Sequence, residues 1–169
     1  MRRLLLLLPF VLLAGGPAST AATSACTPAD LHASMNVING SGAAGQISYG
    51  VRLRNTSSSS CVVSGRPGLR LRGKHGHNLP THVVADHPGT GTAALITLAP
   101  HKAAVAEARF SPDVPGTGET TTGPCERTAY SVRVTLASPG SGSLVGGVHP
   151  PTPVCEHGRI VESLLRATP

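Results

Sequence analysis

The chain has 169 residues, a length suited to one domain, and a formal net charge of +6, of which Arg2 and Arg3 supply two. Only 13% of residues are charged and 2% are aromatic. The core must therefore be built from Val, Leu, Ile and Ala, and a nucleic-acid interface of arginines interleaved with stacking aromatics is excluded.

The order of elements begins with a segment that is not domain. Met1-Arg-Arg3 precedes an apolar run over residues 4–14, and the small residues Gly15, Gly16, Ala18, Ala21 and Ala22 follow. This is the pattern of a secretory signal peptide over residues 1–25, with cleavage after Ala21, Ala22 or Ala25. The 11-residue apolar run is too short to cross a bilayer. Arg2-Arg3 allows the twin-arginine route, and Cys26 allows lipid attachment, although Thr23 stands where such a signal carries Leu. Residues 26–169 are left as a single domain.

Within it, residues 31–37 alternate apolar and polar, as a strand with one buried face does. The glycine-rich stretch 39–45 reads as a turn into a second strand over 46–54, which ends in the polar run 55–60. Gly40-Ser-Gly42-Ala-Ala-Gly45 has the letters of a dinucleotide-binding loop, but that reading needs a helix next, and an alternating strand follows. Short strands are expected at 62–63 and 68–72 around the Gly65-Arg-Pro-Gly68 turn, with a tight turn at 74–78 and an edge strand at 79–84. Further strands are expected at 93–98, 103–110, 130–136, 144–148 and 159–166, with a Pro- and Gly-rich loop over 111–124 and a Pro-rich break over 149–153. Many short strands cut by turns predict an all-β, immunoglobulin-like antiparallel sandwich.

Four cysteines, Cys26, Cys61, Cys125 and Cys155, form an even set without a Cys-x-x-Cys pair, which in an exported chain implies two disulfides. Cys26 precedes the first strand and Cys61 follows the second, so an antiparallel pair brings them together. By the same reasoning Cys125, before the 130–136 strand, pairs with Cys155, after the strand that returns against it. The pairing expected is Cys26–Cys61 and Cys125–Cys155.

The order of these features resembles a family of secreted actinobacterial proteins, domain of unknown function 4232. The likeness rests on Cys26, the turn Gly42-Ala-Ala-Gly45, the strand ending Asn55-Thr-Ser57, Cys61 and Gly65-Arg-Pro-Gly68. It continues through Leu98-Ala-Pro100-His101, the Ala-rich strand to Phe110, Cys125 and Cys155, with His101 where the family carries Gly. The resemblance implies a disulfide-bonded sandwich at the cell envelope or outside it, and implies no catalytic residues. The composition, rich in Ala, Gly, Pro and Arg, resembles that of proteins encoded by GC-rich bacterial genomes.

His75, His77 and His82, with His87 beyond, are the candidates for metal ligands, yet their spacing reads as solvated loop histidines and no metal or other cofactor is expected. The Asp and Glu residues are scattered, and no nucleophile elbow is present, so no enzyme is expected. The strongest chemical signal is positive charge. Arg52, Arg54, Arg66, Arg70, Arg72 and Lys74 lie in a stretch without an acidic residue, and strand alternation sends Arg52, Arg54, Arg70, Arg72 and Lys74 to solvent. These five are the candidate basic patch. The function expected is a non-enzymatic binding module for anionic envelope material or another envelope protein, without nucleic acid. A secreted hydrolase or a His-based metal-binding protein is the alternative.

Overall fold

The computed structural model describes residues 23–89 and 91–168. The signal-peptide expectation falls on residues that lie, except for 23–25, outside these. Among the described residues no helix is long and apolar enough to cross a membrane.

After a 3-10 turn at Pro28–Asp30, eleven strands follow: β1 Leu31–Val37, β2 Ile47–Asn55, β3 Cys61–Val63, β4 Gly68–Arg72, β5 His82–Ala85, β6 Ile96–Leu98, β7 Ala103–Phe110, β8 Ala129–Thr135, β9 Ser143–Thr152, β10 Arg159–Glu162 and β11 Arg166–Ala167. Eight form one continuous path, β4-β8-β9-β1-β2-β7-β10-β5, with β11 also paired to β7, while β3 and β6 make a separate ribbon. The all-β expectation is met. The antiparallel expectation is corrected, because β1 pairs with β9 and β5 with β10 in parallel, so the sheet is mixed. The pairing draws one curled sheet and does not divide it into the two sheets of an immunoglobulin-like sandwich.

The two ends of the path meet through the segment that joins them. Leu79 N–H donates to Leu71 O, and Leu71 N–H donates to the Thr81 hydroxyl, so the return from β4 covers the β4 edge before entering β5. The sheet is thereby nearly closed, which hides edges that would otherwise pair with other chains.

Alternation sets the inside. Leu31, Ala33 and Met35 of β1, Tyr49, Val51 and Leu53 of β2, Ala104, Ala106 and Ala108 of β7, and Val132 and Val134 of β8 are all buried. Tyr49 and Phe110 pack with ring centroids 5.2 Å apart. The β1–β2 register places Leu31 opposite Asn55 and Val37 opposite Tyr49, the antiparallel pair expected from sequence. At its open end Cys26 bonds Cys61, with Cα atoms 4.9 Å apart. Cys125 bonds Cys155, so both disulfides pair as expected.

The strands expected from 79 and 93 begin only at His82 and Ile96, and two others differ more. β9 runs through Pro150 and Pro151, where a break is expected. The register jumps from Ser131 opposite Gly147 to Ala129 opposite Thr152, so the prolines sit in a bulge that asks no ladder N–H of them. The last strand is two. Ser163 N–H donates to Glu107 O and Leu165 N–H to Gly65 O, and this crossing of the chain separates β10 from β11.

Candidate functional site

Outward residues of β4 and β8 build the site. Their register sets Arg70 opposite Arg133 and Arg72 opposite Ser131. Arg70 and Arg133 are both exposed, so two like charges stand directly across a strand pair, an arrangement that costs stability. Arg72 is turned along the strand end, its Nε–H donating to Gly76 O at 2.9 Å. Beyond it the tight turn expected at 74–78 forms, with Gly73 N–H donating to His77 O. Among the described residues, no carboxylate lies within 4.0 Å of the charged groups of Arg70, Arg72, Lys74, Arg127 or Arg133.

This strip ends in an open groove of about 550 Å³. Gly73, Lys74 and His77 form one wall, and Pro124 to Thr128 with Tyr130 form the other. Tyr130 is a 43% exposed aromatic. Lys74 and Arg127 therefore line one cleft together with an aromatic ring and one acid, Glu126. A groove of this kind offers cations and an apolar face to an anionic ligand.

The wall from 124 onward belongs to the long loop after β7, and its position is fixed from below. The Cys125–Cys155 bond ties the loop to the turn after β9. The Glu119 carboxylate, 2% exposed, accepts backbone N–H bonds from Gly116 at 2.6 Å, from Glu156 at 2.9 Å, and from His157. Burial pushes its pKa up, but the N–H groups of His157, Gly116 and Glu156 with the His157 ring outweigh this and hold it below the usual range. That turn is left-handed through Glu156, His157 and Gly158, with φ of 54°, 56° and 78°. At Gly158 a Cβ would stand 2.1 Å from Pro80 O, so only glycine fits where the turn crosses the β4–β5 connection.

The five cations expected as one patch fall into two groups. Arg70, Arg72 and Lys74 lie on the strip just described. Arg52 and Arg54 lie on β2, with β8, β9 and β1 between, roughly 19 Å away at ordinary strand spacing along the curled sheet. There Arg54 Nε–H donates to His101 O, and neighbouring Glu107 takes Arg166 at 3.3 Å, so that face is mixed in charge. Arg66 turns inward along the chain, its Nε–H donating to Glu162 O at 2.9 Å. Arg127 and Arg133 escaped the sequence argument because they come from a segment some 60 residues further on. The alternation of the 130–136 strand marks Arg133 as outward, but only the β4–β8 pairing reveals its neighbour.

The histidine candidates are not assembled. His75 is exposed in the tight turn, His77 lines the groove, and His82 is exposed on β5. Among the described residues the convergent sets of possible metal ligands are Glu119, Glu126 and His157, and Glu119 with the bonded Cys125 and Cys155. Neither includes His75, His77 or His82.

A family model described as a domain of unknown function, DUF4232, matches residues 26–168. The chain belongs to that family. No curated protein and no solved structure matches it. The matched span of this DUF4232 domain takes in both disulfides, the β4–β8 strip and the left-handed turn, so the site lies within the family's own unit.

Proposed function

We propose that this DUF4232 chain is an exported, non-enzymatic binding module that holds anionic polymer of the bacterial cell envelope on the β4–β8 strip. Two disulfides fit an oxidising compartment, and the apolar run at residues 4–14 followed by small residues is the export signal this reading uses. Its curled sheet is read as a flattened immunoglobulin-like sandwich, supported by the alternate residues of β1, β2, β4, β7 and β8 that share one core.

The observation that carries the proposal is the Arg70–Arg133 pair. Folding gains nothing from opposing two exposed arginines, and among the described residues no acid pairs with either. A polyanion would neutralise both, and the groove beyond adds Lys74 and Arg127 with the Tyr130 ring. At 0.1 M salt the screening length is about 10 Å, so binding by such a strip is salt-sensitive.

The test is sedimentation of the oxidised protein with purified Gram-positive cell wall. Binding is expected at low ionic strength, falling as salt is added, and at least tenfold weaker in an Arg70→Gln/Arg133→Gln variant. An Arg52→Gln/Arg54→Gln variant should bind like the parent. Absence of sedimentation at low salt, or equal loss in the two variants, overturns the reading.

A further inference from the structure

Behind the groove, three ligand-type atoms lie within 4.8 Å of one another. His157 Nε2 lies 3.0 Å from Thr117 O. A carbonyl can only accept, so Nε2 carries the proton and donates. In the neutral ring the Nδ1 lone pair then points at two carboxylates, 3.7 Å from Glu119 Oε1 and 4.0 Å from Glu126 Oε1. Among the described residues neither carboxylate has a Lys or Arg partner, because the nearby Arg159 pairs with Glu156 instead. With the ring neutral these lone pairs repel one another, and a cation among them, or a second proton on the ring, turns the arrangement attractive.

We infer that Glu119 Oε1, Glu126 Oε1 and His157 Nδ1 are the ligands of a divalent metal site of the zinc class. Zinc takes imidazole nitrogen at about 2.0–2.1 Å and carboxylate oxygen at about 2.0–2.2 Å. Tetrahedral ligands at those lengths stand roughly 3.4 Å apart, so the two histidine–carboxylate separations of 3.7 and 4.0 Å, with all three atoms within 4.8 Å of one another, close onto an ion by side-chain adjustment alone. One imidazole with two carboxylates suits zinc better than calcium, which prefers oxygen alone. The Thr117 carbonyl supplies the outer hydrogen bond that fixes the tautomer of a metal-binding histidine.

Two further features support the assignment. Glu119 is held by three backbone N–H groups, yet its Oε1 accepts only one of them, the His157 N–H, and keeps a lone pair for the ion. His157 occupies the left-handed region, which an ordinary residue adopts only at a cost, and that backbone is what carries its ring to the carboxylates. The disulfide beside the cluster needs no metal, and its sulfurs are not ligands. With His157 63% exposed, the remaining coordination position opens to solvent.

Glu126 also lines the groove beyond the polymer strip, but zinc alone tests this site independently of that reading. Zinc chloride titrated into the full oxidised chain at pH 7.5, followed by calorimetry, should show one ion per chain with micromolar affinity. Glu126→Gln, whose side chain has no hydrogen bond to lose, should weaken binding at least tenfold. His157→Asn should do the same, because Asn tolerates the left-handed backbone and keeps the turn. Circular dichroism of both variants checks that they fold. No heat of binding, or binding unchanged in Glu126→Gln and His157→Asn, overturns the site. A response to pH that zinc does not alter would show that a proton, not a metal, fills the gap, and overturns it equally.

Discussion

Glu162 offers a quantitative test of the core. Its residue is 0% exposed, on β10 between Ala108 of β7 and Ala85 of β5, and neither carboxyl oxygen has a hydrogen-bond partner. Burial raises its pKa from 4.5 to about 8, with the Arg66 guanidinium pulling the other way. The folded protein therefore keeps a proton that the unfolded chain releases above 4.5. Between pH 4.5 and about 8 the unfolded state binds fewer protons, so stability falls as pH rises, by up to about 1.4 kcal/mol per pH unit. Below 4.5 both states are protonated and the contribution is fully present. In Glu162→Gln the group cannot titrate. The stability of the variant relative to the parent should grow by about 3.5 kcal/mol from pH 4.5 to 7.5, equivalent to a melting-temperature gain on the order of 10 °C. Urea unfolding of both proteins at pH 4.5, 6.0 and 7.5 measures this directly, because histidines contribute equally to each and cancel in the difference. Parallel profiles would falsify the claim that a buried, unpaired carboxyl sits in the core.

Three other changes probe the frame of the fold. His101 holds φ of 67° in the turn before β7, so His101→Gly should stabilise by about 1 kcal/mol, read from the urea midpoint. Asn55 is fully buried with its amide donating to Ser59 O and Leu98 O, both at 2.8 Å, while its carbonyl accepts from Ser57 N–H and the Ser57 hydroxyl. Asn55→Ala strands those groups and should cost roughly 3 kcal/mol by thermal unfolding. Arg133→Glu converts the opposed pair with Arg70 into an attractive one. It should raise stability by up to about 1 kcal/mol while abolishing cell-wall sedimentation, a split that a merely structural role for Arg133 cannot produce.

What the sequence makes legible follows from what is local. The alternation of residues 31–37 and 46–54 carries the strand, its buried side and its antiparallel partner, and from those the Cys26–Cys61 bond follows. The Asn55-Thr-Ser57 signature also has a local cause, since Asn55 closes the loop 55–60 through three hydrogen bonds to Ser57 and Ser59 and ties it to β6 through a fourth, to Leu98 O. The curl of the sheet is not local. It depends on β4 and β5, neighbours in the chain, occupying opposite ends of the path, and no residue pattern in either strand states that.

The chemistry-bearing residues divide along the same line. Arg70 and Arg72 are visible as outward positions of a strand, and the alternation is right about their exposure while silent about which strand lies beside them. Glu119 and Glu126 sit in a loop with no period to read, and His157 follows a Pro-rich segment in which nothing announces a left-handed turn. They meet because Cys125–Cys155 joins two segments 30 residues apart and because Gly158 lets the turn cross within reach of Pro80. Removing that glycine should therefore act on the metal cluster through the backbone alone. Any Cβ at position 158 must displace the Pro80 carbonyl or the turn, and displacing the turn moves the His157 and Glu156 N–H groups off Glu119. The crossing at Gly158 and Pro80, and the convergence of His157 with Glu119 and Glu126, are thus a single piece of construction.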